Sequence, residues 1–185
     1  MKGDMASNVT LVTGGARSGK SGFAQRMAQG REGRKVFIAT ARAGDDEMKL
    51  RIEQHRRERP EGWHTIEEPC RLVQALESCR GSYEVVLIDC IGLWITNLLL
   101  ADRGEHEILR EVAAVLERCR TCASDIIMVS NETGMGIVPD NSLSRRFRDV
   151  LGKTNQEIAG AADEVFFLVA GIPLQLKGKP ASPQR

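Results

Sequence analysis

Residues Gly14-Gly15-Ala16-Arg17-Ser18-Gly19-Lys20-Ser21 fit the spacing G-x-x-x-x-G-K-S/T and directly follow the apolar run Val9-Thr10-Leu11-Val12. This feature constrains the fold most tightly, because the spacing works as the bend between a strand and a helix. Glycines let the backbone curl until successive N–H groups face one anion, and the helix that follows turns its positive end to the same point. The spacing predicts a phosphate-binding loop. Lys20 is expected to reach the β- and γ-phosphates of a nucleoside triphosphate, and the Ser21 hydroxyl to hold Mg²⁺.

The remaining chain alternates short β-branched runs with helical segments, as a parallel sheet covered on both faces requires. Strands are predicted over Val9 to Thr13, Val36 to Thr40, His64 to Glu67, Val85 to Asp89, Ile126 to Asn131 and Val165 to Val169. Helices are predicted near Ser21 to Gln29, Asp46 to Arg57, Cys70 to Ser78, Leu93 to Ala101, Glu105 to Arg120 and Leu143 to Ala161. Right-handed crossovers would bring the C-terminal strand ends to one edge, where open α/β sheets bind ligands. The chain of 185 residues suits one nucleotide-binding catalytic domain over residues 1–176, followed by a polar, proline-containing tail, 177–185, expected to be disordered.

A net charge of +1 supplies no general field for a polyanion, and aromatics at 4% argue against a base-stacking RNA platform. Nucleic acid is therefore not an expected partner. No apolar run has transmembrane length and residues 1–10 lack the apolar core of a secretory signal, so a cytoplasmic location is expected. Five cysteines, an odd number, do not read as a disulfide framework. Cys119-x-x-Cys122 has no second ligand pair, which favours a buried structural role over redox or metal use.

Val85-Val86-Leu87-Ile88-Asp89 is an apolar strand ending in a carboxylate, the form of a Walker B element, and Asp89 would hold Mg²⁺ directly or through water. The same pattern also suits an Asp that caps the next helix. In the segment from Asp45 to Pro60, Met48, Ile52 and His55 share one helical face. His55 is either a packed histidine beside a solvated basic face or a nucleophile whose neutral ring is favoured by nearby arginines. His64 and His106 fit exposed structural roles. Glu67 ends a short strand that points to the ligand edge, where it could accept from a guanine or a ribose hydroxyl, or merely belong to a solvated turn. The glycines of Ser130 to Pro139 suit either close backbone approach to a ligand or a lid.

Taken together, these segments resemble the bifunctional adenosylcobinamide kinase / adenosylcobinamide-phosphate guanylyltransferase family of cobalamin biosynthesis. The resemblance rests on Leu11 to Ser21, Asp45-Asp46-Glu47-Met48 with Arg51-Ile52 and His55-Arg56, and Arg59-Pro60. It continues through Thr96-Asn97-Leu98-Leu99, Asn131-Glu132, Gly134 to Pro139, Phe147-Arg148-Asp149, Asn155-Gln156 and Ala162 to Val165. The phosphate loop is shared with many families, whereas the histidine segment followed by the Gly-Ile-Val-Pro loop is specific.

The resemblance implies an α/β fold, a single-domain P-loop (RecA-like) three-layer α/β/α arrangement with a mostly parallel sheet. It also implies two reactions: a nucleoside triphosphate, ATP or GTP, phosphorylates adenosylcobinamide, and GTP then donates GMP through a histidine to give adenosylcobinamide-GDP. His55 matches the guanylylated histidine, and Lys20, Ser21 and Asp89 match the phosphate and Mg²⁺ positions. Thr40, Ala41, the stretch Arg56-Arg57-Glu58-Arg59 and Glu67 match GTP contacts. The loop residues Gly14, Gly15, Ala16, Arg17, Ser18 and Gly19 match the phosphate cradle. Trp94 and the Gly-Ile-Val-Pro loop are wall candidates for the corrinoid, and a homo-oligomer such as a trimer is implied. Two departures stand out: Gln54 replaces a second histidine seen in some relatives, and Asp89 replaces a Glu. Two other readings of the same motifs are a simple small-molecule kinase and a GTP-dependent switch, although the chain lacks an Asn-Lys-x-Asp guanine-reading motif.

Overall fold

The computed structural model describes residues 7–42, 44, 46, 49, 50, 53, 56 and 62–179. The elements are β1 (Val9–Gly14), α1 (Lys20–Gln29), β2 (Lys35–Ala39), β3 (His64–Glu67), α2 (Leu72–Cys79) and β4 (Val85–Asp89). They continue with α3 (Ile91–Leu100), α4 (Glu105–Thr121), β5 (Asp125–Val129), α5 (Ser142–Ala161), β6 (Glu164–Val169) and β7 (Ile172–Lys177). The strands join one seven-stranded sheet in the order β3-β2-β4-β5-β1-β6-β7. Every pairing is parallel except β6 with β7.

Strand sequences without apolar-polar alternation need burial on both faces, and the two cores supply it. Val9, Leu11, Val36, Ile38, Val86, Ile88, Ile126 and Met128 pack with α2, α3, α4 and α5 on one face. Val12, Phe37, Val85, Leu87, Ile127 and Val129 pack with α1 through Ala24 and Ala28 on the other. This is the expected α/β/α layering.

Several boundaries shift by one or two residues from the sequence reading, and one strand is new. Helix α3 begins at Ile91, two residues early, because the Cys90 sulfur accepts the Leu93 N–H at 3.5 Å and caps the first turn. Strand β5 stops at Val129, and Ser130 to Glu132 leave it as the site loop. Strand β7 was not anticipated, although Ile172, Leu174 and Leu176 alternate with Pro173, Gln175 and Lys177; all three are exposed on this edge strand. Its turn, Ala170-Gly171, has φ of 51° and 84°, the positive pair that matches hairpin twist. Lys177 closes β7, its Nζ donating to Ala159 O and Gly160 O at 3.0 and 2.9 Å. Of the helix expected over Asp46 to Arg57, Asp46, Lys49, Leu50, Glu53 and Arg56 are helical, and the others lie outside the described residues.

Candidate functional site

Parallel pairing brings the C-terminal ends of β1, β2, β3, β4 and β5 to one edge, and each end delivers a segment singled out from the sequence. The loop after β1 carries the phosphate-binding motif. Gly14 pairs with Leu168 of β6, and a Cβ there would lie 2.5 Å from Leu168 O and 2.9 Å from Ser18 Oγ. Only glycine fits. Gly19 takes the left-handed conformation, φ 89°, and has no side chain to cap α1, so the helix start faces the loop without a side-chain partner.

Two neighbours brace this loop. The Gly14 carbonyl accepts the Glu132 N–H at 2.9 Å, and the Ser18 carbonyl accepts the Gly171 N–H at 3.0 Å from the β6–β7 turn. The Ser18 and Thr13 hydroxyls are buried without a hydrogen-bond partner. Lys20 bends back, its Nζ donating to Gly15 O at 2.7 Å. Burial lowers the pKa of this ammonium, against the opposing pull of the Asp89 carboxylate. A desolvated lysine held beside a glycine loop and a carboxylate is electrostatically suited to a phosphate.

Asp89 ends β4, in register with Ala39 and Val129. Because β5 lies between β1 and β4, the phosphate loop and Asp89 stand two strands apart with the β5 exit between them. Next to Asp89, buried Thr40 donates its hydroxyl to Cys90 O at 2.7 Å and accepts Cys90 N–H at 2.8 Å. The Cys90 thiol is buried, and burial pushes it up to about 12. Ala41, which follows, is half-buried.

At the end of β3, the Glu67 carboxylate pairs with the Arg56 guanidinium, both partly exposed. This is an ion-paired strand end, not an unpaired turn. Its neighbour Glu68 accepts the N–H groups of Cys70 and Arg71 at 3.0 and 2.9 Å and fixes the entry to α2. His55, Arg57, Glu58 and Arg59 lie outside the described residues. His64 starts β3 at the opposite end of the sheet and stacks on Tyr83, with ring centroids 5.7 Å apart. His106 is exposed in the first turn of α4. Cys119 and Cys122 are buried free thiols, and among the described residues no cluster of His, Cys, Asp and Glu could hold a metal.

Two amides that the sequence reading named only among the residues carrying the resemblance brace the strand ends. Asn97 sits among the leucines and isoleucines of α3, buried, and its Nδ2 donates to Thr40 O at 2.8 Å and to Pro69 O at 2.9 Å. One side chain thus joins the exits of β2 and β3. Asn155 of α5 accepts from Ser130 Oγ at 2.6 Å and donates to Asn131 O at 3.0 Å, clamping the exit of β5. An amide inside an apolar helical run is the signal that could have given Asn97 this role, since buried polar groups are placed to be satisfied. Trp94 corrects the expectation of a ligand wall. It is 1% exposed and its indole N–H donates to Cys70 O at 2.8 Å, so it belongs to the core. Met135, Ile137 and Val138, in contrast, are strongly exposed at the ligand edge.

Comparison with known proteins places the chain in one family. Residues 10–176 match the sequence model of a family described as cobinamide kinase / cobinamide phosphate guanyltransferase. The bifunctional adenosylcobalamin biosynthesis protein CobP of Pseudomonas aeruginosa is 47% identical over 170 residues, covering 92% of this chain and 98% of that protein. The bifunctional adenosylcobalamin biosynthesis protein CobU of Escherichia coli is 41% identical over 179 residues, covering 90% and 98% respectively.

Proposed function

Because the chain belongs to the cobinamide kinase / cobinamide phosphate guanyltransferase family, we propose that it phosphorylates adenosylcobinamide with a nucleoside triphosphate and then guanylylates the product through His55. The observation that carries this reading is the ligand edge itself: an uncapped helix start and glycine loop on β1 share one edge with Asp89 on β4. That is the apparatus for a triphosphate.

In the kinase step the backbone from Gly14 to Gly19 cradles the phosphates and Lys20 neutralises charge as the β–γ bond breaks. In the second reaction an imidazole nitrogen of His55 attacks the α-phosphorus of GTP, and pyrophosphate leaves. A phosphate oxygen of the corrinoid phosphate then displaces the histidine, giving adenosylcobinamide-GDP. Thr40, Ala41, Glu67 and the stretch Arg56-Arg57-Glu58-Arg59 are the proposed GTP contacts. The Arg56–Glu67 pair supports this by joining two of them.

The Ser21 hydroxyl and Asp89 carboxylate are hard oxygen donors, and a single carboxylate with phosphate oxygens suits Mg²⁺ better than a site built wholly from protein. When bound there, Mg²⁺ would draw charge off the phosphates. The exposed Met135, Ile137 and Val138 offer an apolar surface against which the corrinoid can rest. Exposed Val169, Ile172, Leu174 and Leu176 support a homo-oligomer, a trimer among the assemblies to be tested by light scattering. No helix among the described residues is long and apolar enough to cross a membrane, and the free thiols support a cytoplasmic enzyme.

The test incubates the protein and its His55→Ala variant with Mg²⁺ and GTP labelled at the α- or the γ-phosphate, followed by denaturation. Acid-labile, alkali-stable α-label on the wild type, absent from the variant, is the expected result. Bound GTP without α-label would overturn the covalent mechanism and favour a simple kinase or a GTP-dependent switch.

A further inference from the structure

We propose that Glu132 is the general base of the kinase step, taking the proton of the corrinoid hydroxyl as its oxygen attacks the γ-phosphorus. The proposal rests on the kinase reading above and adds a residue that the loop motif did not identify. Its first support is placement. Ser130 N–H donates to Val12 O and Glu132 N–H to Gly14 O, both at 2.9 Å, so the β1–β5 ladder runs past Val129 and sets Glu132 beside the phosphate loop. Strand β5 lies between β1 and β4, which puts this residue between the phosphate cradle and Asp89. Asn155 holds the same backbone from the α5 side.

The second support is the state of the carboxylates at the exits of β3, β4 and β5. Asp89 is the metal candidate. Glu67 is ion-paired with Arg56, and Glu68 is occupied by two N–H groups and Arg71. Glu132 accepts one bond at Oε1, from Gly134 N–H at 2.5 Å, and its Oε2 has no hydrogen-bond partner among the described residues. An alcohol needs an acceptor in reach as its oxygen bonds to phosphorus. The balance is closed: the hydroxyl proton passes to the carboxylate, the new O–P bond forms, the β–γ bridge breaks, and the diphosphate leaves. The protonated carboxyl then returns its proton to water. The Gly134 bond also ties Glu132 to the apolar loop proposed to meet the corrinoid, so base and substrate approach from the same side.

The experiment measures γ-phosphoryl transfer to adenosylcobinamide and α-labelling by GTP in wild type, Glu132→Gln and Glu132→Asp. Glu132→Gln is expected to lower kcat for the kinase step by roughly 100- to 10,000-fold while α-labelling stays within about threefold of wild type. Glu132→Asp is expected to recover part of the rate. A Glu132→Gln kinase within about threefold of wild type would overturn the role. So would equal loss of both activities with a lowered melting temperature, which would mark Glu132 as structural. A wild-type protein inert toward adenosylcobinamide would instead overturn the kinase reading itself.

Discussion

Thr40 grips Cys90 at both backbone groups: its hydroxyl donates to the Cys90 carbonyl at 2.7 Å and accepts the Cys90 N–H at 2.8 Å. Since Cys90 follows Asp89, this buried reciprocal pair fixes the backbone that carries the proposed metal carboxylate. Thr40→Val keeps the shape but leaves the buried Cys90 N–H without a partner, while the Cys90 carbonyl keeps the Trp94 N–H at 3.2 Å, a cost of about 1–3 kcal/mol. Thermal unfolding should shift down by roughly 2–12 °C for a chain of this size. Thr40→Ser should retain most of the wild-type melting temperature.

Asn97 links the exits of the two strands that carry proposed GTP contacts, through Thr40 O and Pro69 O. Asn97→Ala should cost about 2–3 kcal/mol in stability. At a temperature where the variant is folded, the KM for GTP should rise more than kcat falls, because the lost bonds position a binding surface. Steady-state kinetics would refute this role if kcat alone fell.

Gly14 and Gly15 make a contrast within one loop. A Cβ at Gly14 meets Leu168 O at 2.5 Å, whereas at Gly15 it meets nothing within 4 Å. Gly14→Ala should destabilise the unliganded protein by about 2–3 kcal/mol by forcing β1 from β6. Gly15→Ala should change it by less than about 1 kcal/mol. Equal melting temperatures for the two variants would contradict the close approach.

Glu68 should make stability fall in acid. Burial acts to raise its pKa, but the N–H groups of Arg71 and Cys70 and the Arg71 side chain outweigh it and hold the carboxyl below the usual 4.5. A depressed folded pKa means that the unfolded chain binds the proton more readily. The ionised group therefore stabilises the fold fully above 4.5, and this contribution is lost as pH falls through the folded value. Glu68→Gln should lower the melting temperature at neutral pH and flatten its decline below 4.5. Parallel pH profiles for wild type and variant would count against it.

What could be read from the sequence was local. The spacing of Gly14, Gly19, Lys20 and Ser21 defines a loop whose conformation depends on neighbouring residues, and the apolar strand ending in Asp89 is legible for the same reason. The segment bearing His55 was legible only through its resemblance to a family, since helical spacing alone suits a packed histidine equally well. Trp94 misled because an exposed and a buried indole have the same letter; its partner, Cys70 O, lies on another element. Strand β7 does carry an alternating apolar pattern, Ile172, Leu174 and Leu176, that the reading passed over; what marks it as a strand is its pairing with β6.

The tertiary structure alone placed β5 between β1 and β4, and with it Glu132 beside Gly14. It also decided that Asn97 would join Thr40 to Pro69 and that Asn155 would clamp Ser130 and Asn131. The sequence by itself determined the phosphate loop, the α/β alternation and the family, because these are written in short-range spacing and residue type. The strand order and the buried amide bridges depend on which distant segments meet, and that is settled by burying both sheet faces at once while satisfying every polar group enclosed.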